Sequence, residues 1–236
     1  MFKYCFYLPL LFLLVHATGS RAQAVNDTEK FVVGDTIFYT KNWTECAAKD
    51  HEFFRLSFVD STSIPQQKCI RICDFYKNGV LQMSGFISPD DGKRVGVYKY
   101  FDKKGRLESV KVYDYASHAP YADLIPYQQH IPSCEVPGAS LYITLFRDGH
   151  VRSIGFGTGN SFCDGAVGTW KFYNRFDHDI FTLSDFHKGL LHGRSFLYYS
   201  NGFLKKERYY KYGAKSGTWK TYNNNGIVKK VAFYGN

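Results

Sequence analysis

Apolar and polar residues alternate along most of this chain, in short runs that stop at Asn-Gly, Asp-Gly or Lys-Gly pairs. The segment Gly217-Thr-Trp-Lys-Thr-Tyr222 and its turn Asn225-Gly226 have a counterpart twenty-four residues earlier, from Gly193 to Tyr198 with Asn201-Gly202. Gly168-Thr-Trp-Lys-Phe-Tyr173 and Gly96-Val-Tyr-Lys-Tyr-Phe101, the latter followed by Lys104-Gly105, repeat the theme, and further turns stand at Asp148-Gly149 and Asn78-Gly79. Phe75, Phe101, Leu145, Tyr173, Tyr198 and Tyr222 each precede the turn position by four residues. Leu81, Leu107, Val151, Leu204 and Val228 each follow a turn glycine by two, and Tyr113, Tyr210 and Tyr234 by eight. Six units result, with Asp177 in place of the turn glycine in one of them.

Each unit predicts a β-hairpin. A glycine after Asn or Asp supplies the positive φ of a tight turn, and alternation puts neighbouring residues on opposite faces. Trp219 and Thr221 then face one way, Lys220 and Tyr222 the other. One hairpin is marginal in water, but side-by-side hairpins bury a ladder of cross-strand aromatic pairs, each contributing about 0.2–1 kcal/mol. The fold class expected is all-β: repeated antiparallel β-hairpins in an elongated, twisted single-layer sheet over residues 69–236. Residues 25–68, with strand-like pieces at 31–40 and 53–58 around a Thr44-Glu-Cys-Ala-Ala-Lys turn, are expected as a small N-terminal cap. Two stretches break the period. Residues 115–138 hold four of the seven prolines (Pro120, Pro126, Pro132, Pro137), lack alternation and read as a long loop or a lost repeat. Residues 157–168 are Gly-rich and hold Cys163.

The amino terminus adds a destination. Lys3, the apolar run Leu-Pro-Leu-Leu-Phe-Leu-Leu-Val at residues 8–15, and Ala22-Gln23-Ala24 form a signal-peptide pattern over residues 1–24, with Val25 the expected mature start. The apolar run is shorter than the roughly 20 residues a membrane-spanning helix needs. The expected location is outside the cytosol: periplasm, outer-membrane surface or medium. Losing Lys3 and Arg21 leaves 28 of the 30 bases against 21 acids, a formal charge of +7. That favours anionic partners. The bases are spread along the chain and the protein is exported, which disfavours nucleic acid. Five cysteines remain (Cys46, Cys69, Cys73, Cys134, Cys163), an odd number whose pairing the sequence leaves open. Cys69 and Cys73 sit four strand steps apart, roughly 13 Å, too far to bond to each other.

The unit Gly-x-Trp-x-x-Tyr-x-x-Asn-Gly-x-Leu, followed by a later Tyr, resembles the MORN repeat variant of bacterial envelope proteins and of proteins labelled YwqK-type antitoxins. The likeness covers roughly residues 70–113 and 141–236, and is cleanest from Gly193 to Tyr234. The front segment, with Trp43, Phe53-Phe54-Arg55 and Asn78-Gly79, is similar to leaders that precede such repeats in exported Bacteroidetes proteins. Some of those continue into a TonB-type domain, for which this chain leaves no room. The resemblance implies a β-hairpin sheet with a binding or scaffold role, and no catalytic residues.

No constellation in the sequence predicts an enzyme or a cofactor. Gly155-Phe-Gly157-Thr-Gly159 lacks the spacing and the following helix of a phosphate loop, and reads as a turn-rich loop. Asp177-His178-Asp179 with His187 and His192 matches no standard metal-ligand spacing, so no metal is expected. Cys134 and His130 have no orienting third group. Asp90-Asp91 reads as a turn. Asn26 and Asn42 begin glycosylation sequons, relevant only in a eukaryotic secretory route. What remains is aromatic: Tyr98, Trp170 and Trp219 in one row, and Phe101, Tyr173, Tyr198 and Tyr222 in another. These are either glue between hairpins or, where a face is left open, a candidate partner surface. The function expected is a non-catalytic exported binding or scaffold module of the cell envelope, contacting a protein or envelope component. An antitoxin role and peripheral binding to anionic membranes are the alternatives.

Overall fold

The computed structural model describes residues 33–60, 69–115, 122–134, 136–159 and 165–235. The export segment 1–24, Asn26, residues 116–121 of the long loop and Cys163 lie outside the described residues. Fourteen strands form one open antiparallel sheet whose spatial order is the order along the chain. The six expected hairpins are β3 (Cys69–Tyr76) with β4 (Leu81–Ile87), β5 (Arg94–Phe101) with β6 (Leu107–Tyr113), and β7 (Ser140–Leu145) with β8 (Val151–Gly157). They continue with β9 (Ala166–Tyr173) and β10 (Ile180–His187), β11 (Leu190–Tyr198) and β12 (Leu204–Lys211), and β13 (Ala214–Tyr222) and β14 (Val228–Tyr234). Of the expected cap, residues 33–60 supply β1 (Thr36–Tyr39) and β2 (Phe53–Asp60), which pair with each other and extend the sheet beyond β3.

The turns differ in kind from the two-residue turns that Asn-Gly suggests. In the first, the Tyr76 N–H donates to the Val80 carbonyl and the Gly79 N–H to the Tyr76 carbonyl, which encloses the three-residue loop Lys77-Asn78-Gly79. Only the glycine has positive φ, at 80°. Asn78 serves through its side chain, whose Oδ1 accepts the Val80 N–H at 3.2 Å. Asp148 and Asn201 do the same in their turns. This is the type I turn closed by a left-handed residue. The degenerate unit corrects the sequence reading: its turn is one residue longer, and His178, at φ 58°, takes the left-handed place rather than Asp177.

Each unit also carries an extra residue after its turn. Phe75 pairs with Leu81 but Asp74 pairs with Met83, which leaves Gln82 as a bulge. Glu108, Arg152, Phe181, Lys205 and Lys229 are the equivalents. The bulge inverts the alternation, so Leu81 and Met83, two residues apart, face opposite ways. One face of the sheet therefore bears the row Phe101, Leu145, Tyr173, Tyr198 and Tyr222 (the tyrosine face). The other bears Tyr98, Trp170 and Trp219 (the tryptophan face).

The main core lies on the tyrosine face of β5 to β9, where Val110, Val112, Leu141, Ile143, Ile154 and Phe156 are buried. The Pro-rich stretch covers it. A 3-10 helix, Ala122–His130, lays Leu124 into this core, and Tyr115, Tyr127, Ile131, Cys134 and Val136 pack around it. The described part of the expected loop is thus a second layer over these strands. It is tied down by the Lys99–Asp123 ion pair at 2.7 Å and by His130 Nδ1 against the Tyr173 hydroxyl at 3.0 Å. At the amino-terminal end, Arg55 and Asp74 form a buried two-point ion pair at 2.6 and 2.8 Å on the tryptophan face.

Candidate functional site

The tryptophan row is built by a second set of bulges. Between β4 and β5 the pairing jumps from Ser84↔Lys99 to Phe86↔Val95, and Gly96 takes up the slack at φ 68°. Gly168 and Gly217 do the same at 65° and 62°. This is the physical content of the repeated Gly-x-aromatic: the left-handed glycine lets the ring two residues on swing across the neighbouring strand. Tyr98 lies on Gly85, where an added Cβ would stand 2.3 Å from the ring, and its hydroxyl donates to the Phe86 carbonyl at 2.6 Å. Trp170 lies on Gly155 in the same way, at 2.2 Å, and its indole N–H donates to the Phe156 carbonyl at 2.9 Å. Both rings are interior, at 0% and 1% exposure, so neither has surface to offer a partner. Gly155 and Gly157 consequently belong to strand β8 rather than to a turn-rich loop.

Trp219 breaks the rule. Its indole N–H also reaches the neighbouring strand, at the Tyr209 carbonyl, but the residue beneath it is Arg208 instead of glycine. The guanidinium sits 5.2 Å from the indole centroid and Lys215 Nζ 5.0 Å, and the ring stays half-exposed between Tyr210 and Tyr234. The tyrosine row divides likewise. Tyr173 is buried under the helix, and desolvation pushes its hydroxyl up to about 12. Phe101, Tyr198 and Tyr222 remain half-exposed. The Tyr222 hydroxyl donates to Glu207 Oε2 at 2.9 Å, and Lys220 pairs with the same carboxylate at 3.5 Å. Of the seven aromatic candidates, four retain surface: Phe101, Tyr198, Tyr222 and Trp219.

Three of those four lie in β11 to β14, where no described residue forms a covering layer on either face. On the tyrosine face of β14, Val231 and Phe233 are 55% and 81% exposed. On the tryptophan face the register aligns Lys206, Thr221 and Lys230, next to Arg208 and Trp219. Desolvation, and then the Arg208 and Lys205 charges, hold the Lys206 ammonium below its usual pKa. The bases are indeed spread along the chain, but the acids are not. Residues 190–235 carry nine Lys and Arg against one acid, Glu207, whereas residues 25–189 carry 19 against 20. The net positive charge is therefore a property of the last two hairpins. Counting charge by hairpin instead of over the whole chain would have exposed this from sequence.

The weaker candidates separate in space. His187 and His192 lie at the far end of β10 from His178, close to Tyr212, and cannot complete a site with Asp177 and Asp179. His178 projects to the preceding turn, against Asp148 and His150. His130 is engaged by Tyr173, and the Cys134 thiol by the Val136 carbonyl at 3.9 Å. Asp90 and Asp91 stand in a turn, where Asp91 pairs with Lys93. Cys46, Cys69, Cys73 and Cys134 are free thiols. Burial first, and then the Asp60 charge, raise the Cys69 pKa, and burial chiefly raises that of Cys73, which makes both poor nucleophiles. Among the described residues no helix is long and apolar enough to cross a membrane. No family model matches the chain, and no curated protein matches it.

Proposed function

We propose that this protein is a non-catalytic exported binding or scaffold module of the bacterial cell envelope, working through hairpins β11–β12 and β13–β14. The observation that carries the reading is the coincidence of charge and exposure. The hairpins that hold the surplus of bases have no covering layer on either face among the described residues. A basic face set with exposed aromatic rings suits an anionic partner, because cations desolvated against a ring keep their attraction and add contact area. The signal-peptide pattern and the resemblance of the units to MORN-variant repeats support an envelope setting.

A second reading, peripheral attachment to anionic membrane surfaces, is favoured by Val231 and Phe233 exposed beside the basic strands. The antitoxin reading rests on the resemblance alone, and the export pattern disfavours its cytosolic form. The test is cosedimentation of the mature protein with isolated envelope fragments and, separately, with vesicles rich in anionic lipid, across a salt series. The expected result is binding that falls with salt and is abolished by the triple charge reversal K206E/R208E/K215E. The same reversal at Lys77, Lys103 and Lys104 should leave it unchanged. Equal loss from both triples would sink the assignment to the last hairpins. Recovery of the chain in the cytosol with residues 1–24 intact would put the antitoxin reading first.

A further inference from the structure

Two neighbouring turns on the glycine rim bring together residues that lie far apart in sequence. Asp148 and His150 flank the glycine of the β7–β8 turn, and His178 occupies the left-handed position of the longer β9–β10 turn. Asp148 Oδ1 stands 3.3 Å from His150 Nδ1, and Asp148 Oδ2 stands 3.3 Å from His178 Nε2. One ligand atom from each residue falls within 4.8 Å of the others. The two imidazoles are stacked, 3.6 Å between centroids and 8° between planes.

We propose that Asp148, His150 and His178 form a divalent transition-metal site, with zinc the best-suited ion. Two imidazole nitrogens and one carboxylate are borderline ligands that favour zinc over the oxygen-seeking calcium and magnesium. Tetrahedral bonds of about 2.0–2.1 Å place ligand atoms about 3.3 Å apart, the separation that each imidazole nitrogen already has from one Asp148 oxygen, Oδ1 for His150 and Oδ2 for His178. The backbone holds the arrangement. The Asp148 carboxylate accepts the His150 N–H, while Asn174 and Asp177 accept N–H groups within the longer turn and hold His178 outward. A metal–nitrogen bond lies in its imidazole plane, so binding rotates the exposed His150 ring out of the stack. The fourth position faces solvent and takes water or a donor from a partner. This site sits on the rim of β7 to β10 and is independent of the surface assigned to β11–β14.

The test is calorimetric titration of zinc into tag-free mature protein stripped with a chelator. One saturable site is expected, with no heat from magnesium or calcium. H150A and H178G should each weaken it by at least about tenfold, since each removes one of three ligands. Glycine is chosen at 178 because it accepts the positive φ, and the thermal midpoint in chelator should not fall for either variant. The pair H187A/H192A, which removes the other histidine–histidine contact among the described residues, should bind as the parent does. Absence of a saturable site, unchanged affinity in the H150A/H178G double variant, or loss of affinity in H187A/H192A would overturn the assignment.

Discussion

Hairpins β5–β6 and β13–β14 are cut from the same pattern, yet one is interior and the other is surface. In both, a left-handed glycine throws an aromatic ring over the neighbouring strand, and that ring meets a tyrosine from the returning strand: Tyr98 with Tyr113, Trp219 with Tyr234. The first ring finds Gly85 beneath it and is sealed; the second finds Arg208 and is propped half-open. On the opposite face the first hairpin is roofed by Leu124 and its helix, and the second has no counterpart among the described residues. One repeat unit thus serves as core or as exposed surface, depending on what lies under the ring and over the sheet.

The comparison breaks most visibly at the glycine under the ring. Gly155→Val puts side-chain carbon where the Trp170 indole lies and should destabilise the fold by about 3 kcal/mol or more, read as a denaturant midpoint shift. Arg208→Val at the equivalent place should change stability by less than about 1 kcal/mol. If the two midpoints shift alike, the glycine is not what separates the regions. The roof comes next. Leu124→Ala should lose about 2–3 kcal/mol, whereas Phe233→Ala, which removes an exposed ring, should lose under about 0.5 kcal/mol.

Hydrogen exchange sharpens the contrast without mutation. Amides of β6 to β8 should open only near global unfolding, and those of β12 to β14 should exchange faster by local opening. The smallest effect concerns pH. Desolvation, and secondarily Lys171, hold the His130 pKa below 6.5, so the unfolded chain binds more protons there than the folded one. The helix should therefore lose stability as pH falls below 6.5, and His130→Gln should flatten that slope. Tyr173, pushed up to about 12, ionises in the unfolded chain first, so stability should also fall as pH rises from 10 to 12. Helix protection that stays constant across both windows would mean these side chains are not what couples the roof to pH.

Much of this architecture was legible because it is local. A turn glycine, the Asn or Asp whose side chain accepts an N–H two residues on, and six repeats in one register specify six hairpins within a few residues each. The tally of aromatic positions was legible too, as was their division between two faces at Trp219 and Tyr222. The bulges at Gln82 and its equivalents were not, because an extra residue leaves no mark on composition and shows only when two strands are laid in register. The candidate aromatic positions were legible as a set of equivalents, but burial divided that set. Trp170 and Trp219 have the same local sequence, and only the strand next door distinguishes them.

By itself, the sequence determined the six hairpins and where each turns, since these follow from backbone φ preferences and hydrogen bonds between near neighbours. Only the tertiary structure decided that the Pro-rich stretch lies down on β5 to β9. That packing depends on apolar area gathered from five strands at once. It also decided that His178 meets Asp148, thirty residues earlier. Such contacts are set by how hairpins stack, and stacking is governed by register and shape across strands, which no single strand's sequence contains.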